Sequence, residues 1–133
     1  MLALLFLLAM IFDTGELSIA TVKAKVGEPA TLTLGGEIEE WQRILENGSA
    51  QRIKKCTGSM QPPACNTWLN IEGDVGGSGA IIKDNGDLYI ESVKLEDAGF
   101  YESPQAKGTL KETPDGETYH IDAPVINLVV VQN

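Results

Sequence analysis

Few residues in this 133-residue chain have types and spacings that invite chemistry: Cys56 and Cys65, the single histidine His120, and the tripeptide Asn47-Gly48-Ser49. Two thiols nine positions apart can close a small ring or supply half of a metal site. A structural zinc site wants four cysteine or histidine ligands, and one histidine does not complete the set, so no metal and no cofactor is predicted. Asn47-Gly48-Ser49 is an acceptor sequon for N-glycosylation, and an occupied Asn47 must face solvent. No nucleophile–base arrangement or phosphate-cradling loop appears. No catalytic residue is predicted.

The N-terminus supplies the compartment in which those cysteines act. Leu2 to Phe12 is an unbroken apolar run of eleven residues. That suits the hydrophobic region of a signal peptide, whereas a membrane-spanning helix needs about 20 residues. Ser18-Ile19-Ala20 places small residues at the −3 and −1 positions of a cleavage site after Ala20. The expected organisation is a signal peptide over residues 1–20 and one domain over residues 21–133. The expected location is extracellular, with no stable membrane insertion after cleavage. An oxidising compartment favours a Cys56–Cys65 bridge, worth about 2–3 kcal/mol for so short a loop in the chain-entropy model. The formal charge of −9 disfavours nucleic acid and anionic membrane surfaces as partners.

The elements that would hold these residues read as short strands. Val22 to Val26 alternates apolar with charged residues, Ala30, Leu32 and Leu34 share one face, and Trp41 to Leu45 is a third strand. Glu46 to Ser49 is a hairpin turn in which Asn-Gly supplies positive φ angles, and Gln51 to Lys55 returns. Residues 56–78 form a loop pinned by the disulfide, with a short strand at Trp68 to Ile71. Strands follow at Ala80 to Lys83, Leu88 to Glu91 and Phe100 to Ser103, with a second hairpin turn at Asp84 to Asp87. A polar loop spans Lys107 to Glu117, and Val125 to Val131 closes the chain. Seven to nine strands with turns every eight to twelve residues and no helical period predict an all-β, antiparallel sandwich or barrel.

The stretch from Gly86 to Tyr101, with Leu88, Ile90 and Val93 followed by Asp97-Ala98-Gly99-Phe100-Tyr101, resembles the E-to-F segment of immunoglobulin superfamily domains. Gly27 to Leu34 resembles their turn and B strand, Trp41 stands where the strand C tryptophan would, and Val125 to Val131 looks like the last strand. The resemblance spans nearly all of residues 21–133 and implies an immunoglobulin-like two-sheet antiparallel β-sandwich. Its signature residues would be Trp41, Leu88, Ile90, Asp97, Gly99 and Tyr101, with the Tyr101 ring buried and its hydroxyl bonded to backbone at the corner. The chain departs from the family pattern at three points. The inter-sheet cysteines fall at Leu34 and Ser103, so that bridge, worth roughly 4 kcal/mol, is absent. Trp41 follows Leu34 by only seven residues. No arginine lies near Ala80 to pair with Asp97.

Alternation also says where a partner would sit. If Trp41, Tyr101, Leu128 and Val130 point inward, Gln42, Ile44, Phe100, Glu102 and Val129 point outward from the same sheet and form the expected binding face. Similar domains often dimerise or bind ligands there. The expected function is non-catalytic binding of an extracellular or cell-surface protein, in adhesion or signalling. A second copy of the chain is a further candidate partner. Two alternatives stand beside it: a carrier of a small apolar ligand, and a structural or matrix protein that self-associates through Val125–Val131 as an edge strand.

Overall fold

A computed structural model describes residues 19–77, 79–121 and 123–132. The expected leader, apart from Ile19 and Ala20, lies outside the described residues. The described chain is nearly all β. Eleven strands run in the order β1 (Ile19–Lys25), β2 (Ala30–Leu32), β3 (Glu40–Leu45), β4 (Ala50–Lys54), β5 (Leu69–Asn70), β6 (Ile81–Ile82), β7 (Leu88–Ile90), β8 (Gly99–Glu102), β9 (Thr109–Glu112), β10 (Thr118–Ile121) and β11 (Val125–Val131). One 3₁₀ turn, Leu95–Asp97, precedes β8.

The strands form a six-stranded sheet in the order β1-β11-β8-β3-β4-β5, a three-stranded sheet β2-β7-β6, and a separate hairpin β9-β10. Strict alternation creates the buried faces. Trp41, Arg43 and Leu45 of β3 are buried while Ile44 is exposed. Gly99 and Tyr101 of β8 are buried while Phe100 and Glu102 are exposed. Ala30 and Leu32 of β2 meet Ile90 and Leu88 of β7 in register, and all four are buried. The inward residues of both larger sheets join one cluster that includes Leu32, Trp41, Ile53, Trp68, Leu88, Val93, Tyr101 and Leu128, with Val22, Leu34 and Val130 packed against it.

Three sequence expectations are corrected here. The pairing is not wholly antiparallel: β1 runs parallel to β11, from Ile19↔Val125 to Lys25↔Val131. That ladder also removes β11 from the edge, because β11 lies between β1 and β8, paired with β1 along its length and with β8 over Ile126–Leu128. Val125–Val131 is therefore an inner strand, not the edge strand expected. Lastly, the polar loop from Lys107 to Glu117 is largely a hairpin, with Thr118↔Glu112 through Ile121↔Thr109 in register and His120 within β10. Its mixture of threonine and charge lacks the apolar alternation by which strands are read. Cross-strand pairing with each other forms it instead.

The three hairpin turns share one geometry. At 45–49, 83–87 and 113–117 the glycine N–H donates to the carbonyl three residues back: Gly48 to Leu45 at 2.8 Å, Gly86 to Lys83 at 2.9 Å and Gly116 to Thr113 at 3.0 Å. Each glycine has φ near +90°, while the Asn or Asp before it does not enter the positive region. This is a type I turn closed by a left-handed glycine, not the two-residue turn with two positive φ angles read from Asn-Gly. The Asn or Asp acts through its side chain: Asn47 Oδ1 accepts from Ser49 N–H at 2.9 Å, and Asn85 Oδ1 from Asp87 N–H at 3.0 Å.

Candidate functional site: the outward sheet face and the arginine beneath it

The predicted face residues fall on adjacent strands. Ile44 of β3 pairs in register with Phe100 of β8 on one side and Ala50 of β4 on the other. One step along, Gln42 pairs with Glu102 on the β8 side and Arg52 on the β4 side. Ile44 is 51% exposed and Phe100 46%, Glu102 and Arg52 are exposed, and Gln42, Ala50 and Val129 are half-buried. Val129 sits farther out, on β11 opposite Lys23 of β1. A concavity of about 260 Å³ opens across this surface from Glu102 of β8 to Leu69 and Ile71, with Ile44, Ala50 and Arg52 between them. Neither Arg52 nor Glu102 has an ion-pair partner among the described residues.

Beneath the face lies a network that the sequence reading missed. Arg43, 2% exposed, donates from Nη1 to Asp97 Oδ1 and to the Tyr101 hydroxyl oxygen, each at 3.0 Å, and from Nε to Gln51 Oε1 at 2.8 Å. Its guanidinium lies 4.0 Å from the centre of the Trp68 ring, and Trp68 meets Tyr101 edge-on at 5.9 Å. Gln51 continues the chain by donating to the Gly76 carbonyl at 2.7 Å. Asp97 accepts from Lys94 N–H at 2.8 Å through its other oxygen, and the Tyr101 hydroxyl donates to the Asp97 carbonyl at 2.5 Å. A buried charge must be paired and hydrogen-bonded, and every group here is. The cation for Asp97 comes from β3, not from the neighbourhood of Ala80. Alternation from Trp41 could have found it, since it turns the residue two further on inward.

The remaining signature residues have distinct duties. Trp41 is fully buried and donates from Nε1 to the Gly86 carbonyl at 2.9 Å. Gly99 packs so close to β3 that a Cβ there would strike the Ile44 carbonyl. Leu88 and Ile90 fill the core from β7. Ser103 is buried and donates to the Glu40 carbonyl at 2.6 Å. The Cys56–Cys65 disulfide is present, with Cys65 buried and Cys56 half-buried. Three residues after it comes Trp68, the residue that stacks on Arg43. Asn47 is exposed at the tip of the β3–β4 turn, so a glycan there would stand at the end of the sheet.

No family model matches this chain, and no curated protein matches it. Among the described residues no helix is long and apolar enough to cross a membrane.

Proposed function

We propose that this chain is a secreted, single immunoglobulin-like domain that binds an extracellular or cell-surface protein, without catalysis, through the outward face of its six-stranded sheet. The observation that carries the reading is the in-register placement of two half-exposed large apolar groups, Ile44 and Phe100, at the middle of that sheet. Polar Gln42, Glu102 and Arg52 stand beside them. An apolar centre bordered by polar and charged groups is the usual anatomy of a protein interface. The immunoglobulin-like reading is supported by the two sheets sharing one core and by the corner in which Tyr101 binds back to Asp97. The signal-like apolar leader and the disulfide favour an extracellular setting. The carrier alternative needs an enclosed apolar volume, but Trp41, Trp68, Tyr101 and their aliphatic neighbours occupy the space between the sheets.

The test is an avidity-enhanced screen of the secreted domain against a panel of extracellular domains. Expected is a partner whose binding disappears in the Ile44→Asp/Phe100→Asp variant while circular dichroism and the unfolding midpoint stay near those of the parent. Undiminished binding by the variant, or its failure to fold, would remove the face from the argument.

A further inference from the structure

The outward face matches itself. Strand β3 has β8 on one side and β4 on the other. Two rows cross it: Phe100–Ile44–Ala50, and Glu102–Gln42–Arg52. In each row the residues on β8 and β4 are opposites, large against small in the first and negative against positive in the second. Adjacent strands lie about 4.8 Å apart, so Glu102 and Arg52 stand roughly 10 Å apart across Gln42 and do not pair within the chain. Now let two copies face each other across a two-fold axis parallel to β3. The rotation lays β8 of one copy over β4 of the other. Phe100 then stands over the partner's Ala50, and Glu102 over the partner's Arg52, each contact occurring twice. Ile44 meets the partner's Ile44. Gln42 meets the partner's Gln42, and a primary amide can both donate to and accept from its own copy.

The relief of the surface is compatible with the same symmetry. Phe100 on β8 is half-exposed and lies outside the concavity, which runs from Glu102 across Gln42 and Ile44 to Ala50, Leu69 and Ile71. A two-fold seats each half-exposed ring against the opposite depression, which is what a closed, isologous interface requires. A heterophilic partner would need no such opposition of size and charge about the central strand.

We propose that the partner for this face is a second copy of the same chain, paired by the two-fold just described. This rests on the proposed use of the face for binding and names its occupant. Charge reversal tests it. In Glu102→Arg every charged contact becomes Arg against Arg, and in Arg52→Glu every one becomes Glu against Glu. In an equimolar mixture of the two variants both contacts of a mixed pair are again opposite. Sedimentation velocity on the secreted full chain is expected to show a dimer at micromolar concentration. Each single variant should dimerise at least tenfold more weakly, and the mixture should recover the parent's affinity as a heterodimer. A chain that stays monomeric up to about 100 μM, reversals without effect, or a mixture no better associated than its components would each overturn the proposal. A monomeric parent that still captures another extracellular domain, with loss in the Ile44/Phe100 double variant, would leave the proposed function standing and sink only the self-pairing. Circular dichroism of each variant separates loss of pairing from loss of fold.

Discussion

Arg43 makes the sharpest demand on its surroundings. Its guanidinium is out of water, so its stability depends on Asp97, Gln51, the Tyr101 hydroxyl and the Trp68 ring together. Removing one member of a buried ion pair leaves the other uncompensated, at a cost of about 3–5 kcal/mol. Arg43→Ala is therefore expected to lower the unfolding free energy by that amount in urea denaturation. Asp97→Asn should also be destabilising, because it leaves the buried Arg43 charge unneutralised and sets an amide NH2 donor against either Arg43 Nη1 or the Lys94 N–H. Tyr101 gives a pH signature of the same network. Burial pushes its hydroxyl up to about 12, against the opposing pull of the Arg43 guanidinium, while an unfolded tyrosine ionises near about 10. The folded chain thus holds a proton that the unfolded chain has released. The stability this contributes is complete below about pH 10 and is lost as pH rises toward 12. The urea midpoint should fall across that window. In Tyr101→Phe the fall should be shallower, although the variant starts from a lower midpoint for want of two hydrogen bonds.

At the scale of elements, the disulfide and its loop matter more than their size suggests. The ring from Cys56 to Cys65 leads directly into Trp68 and then β5, the outermost strand of the six-stranded sheet. Constraining the loop constrains the lid that stacks on Arg43. Replacing both cysteines by serine is expected to cost about 2–3 kcal/mol and to raise amide hydrogen exchange over residues 56–70 ahead of the rest of the sheet. Protection unchanged in that segment would show that Trp68 is held by the core alone. Alkylation of the secreted chain without reduction should label no cysteine. The β9–β10 hairpin is the opposite case. Its ladder pairs only its own two strands, and its turn is closed by Thr113 and Asp115. Thr113 donates to Asp115, which holds that carboxyl below its usual range.

For the whole molecule, the sheet order decides which surface is free. Because β1 and β5 are the outer strands of the larger sheet, assembly by extending the sheet would have to use a lysine-bearing β1 or a two-residue β5, and charge and shortness both discourage such pairing. The broad face across β8, β3 and β4 is the surface that the proposed recognition would use. The loss of partner capture in the Ile44/Phe100 variant and the charge-reversal exchange both belong to this scale. Both probe the face without touching the core, so a fold-wide effect and an interface effect read out differently.

The sequence alone determined most of what depends on nearest neighbours. Alternation along Trp41–Leu45 and Gly99–Ser103 depends only on which side of a strand successive side chains leave, so the division into inward Trp41 and Tyr101 and outward Gln42, Ile44, Phe100 and Glu102 was legible. So were the positions, though not the type, of the turns at 45–49 and 83–87, since the left-handed conformation selects glycine locally, and the small disulfide ring, whose two ends lie within one loop. What depends on segments meeting across the molecule was not legible. Strand β9 carries no apolar stripe, and the β9–β10 hairpin exists through the pairing of its two strands with each other. The position of β11 inside the sheet follows from a parallel ladder to a strand about a hundred residues away. The partner of Asp97 could not be found by looking near it in sequence, because only the packing of β3 beside β8, under the loop that carries Trp68, brings Arg43 within hydrogen-bonding distance.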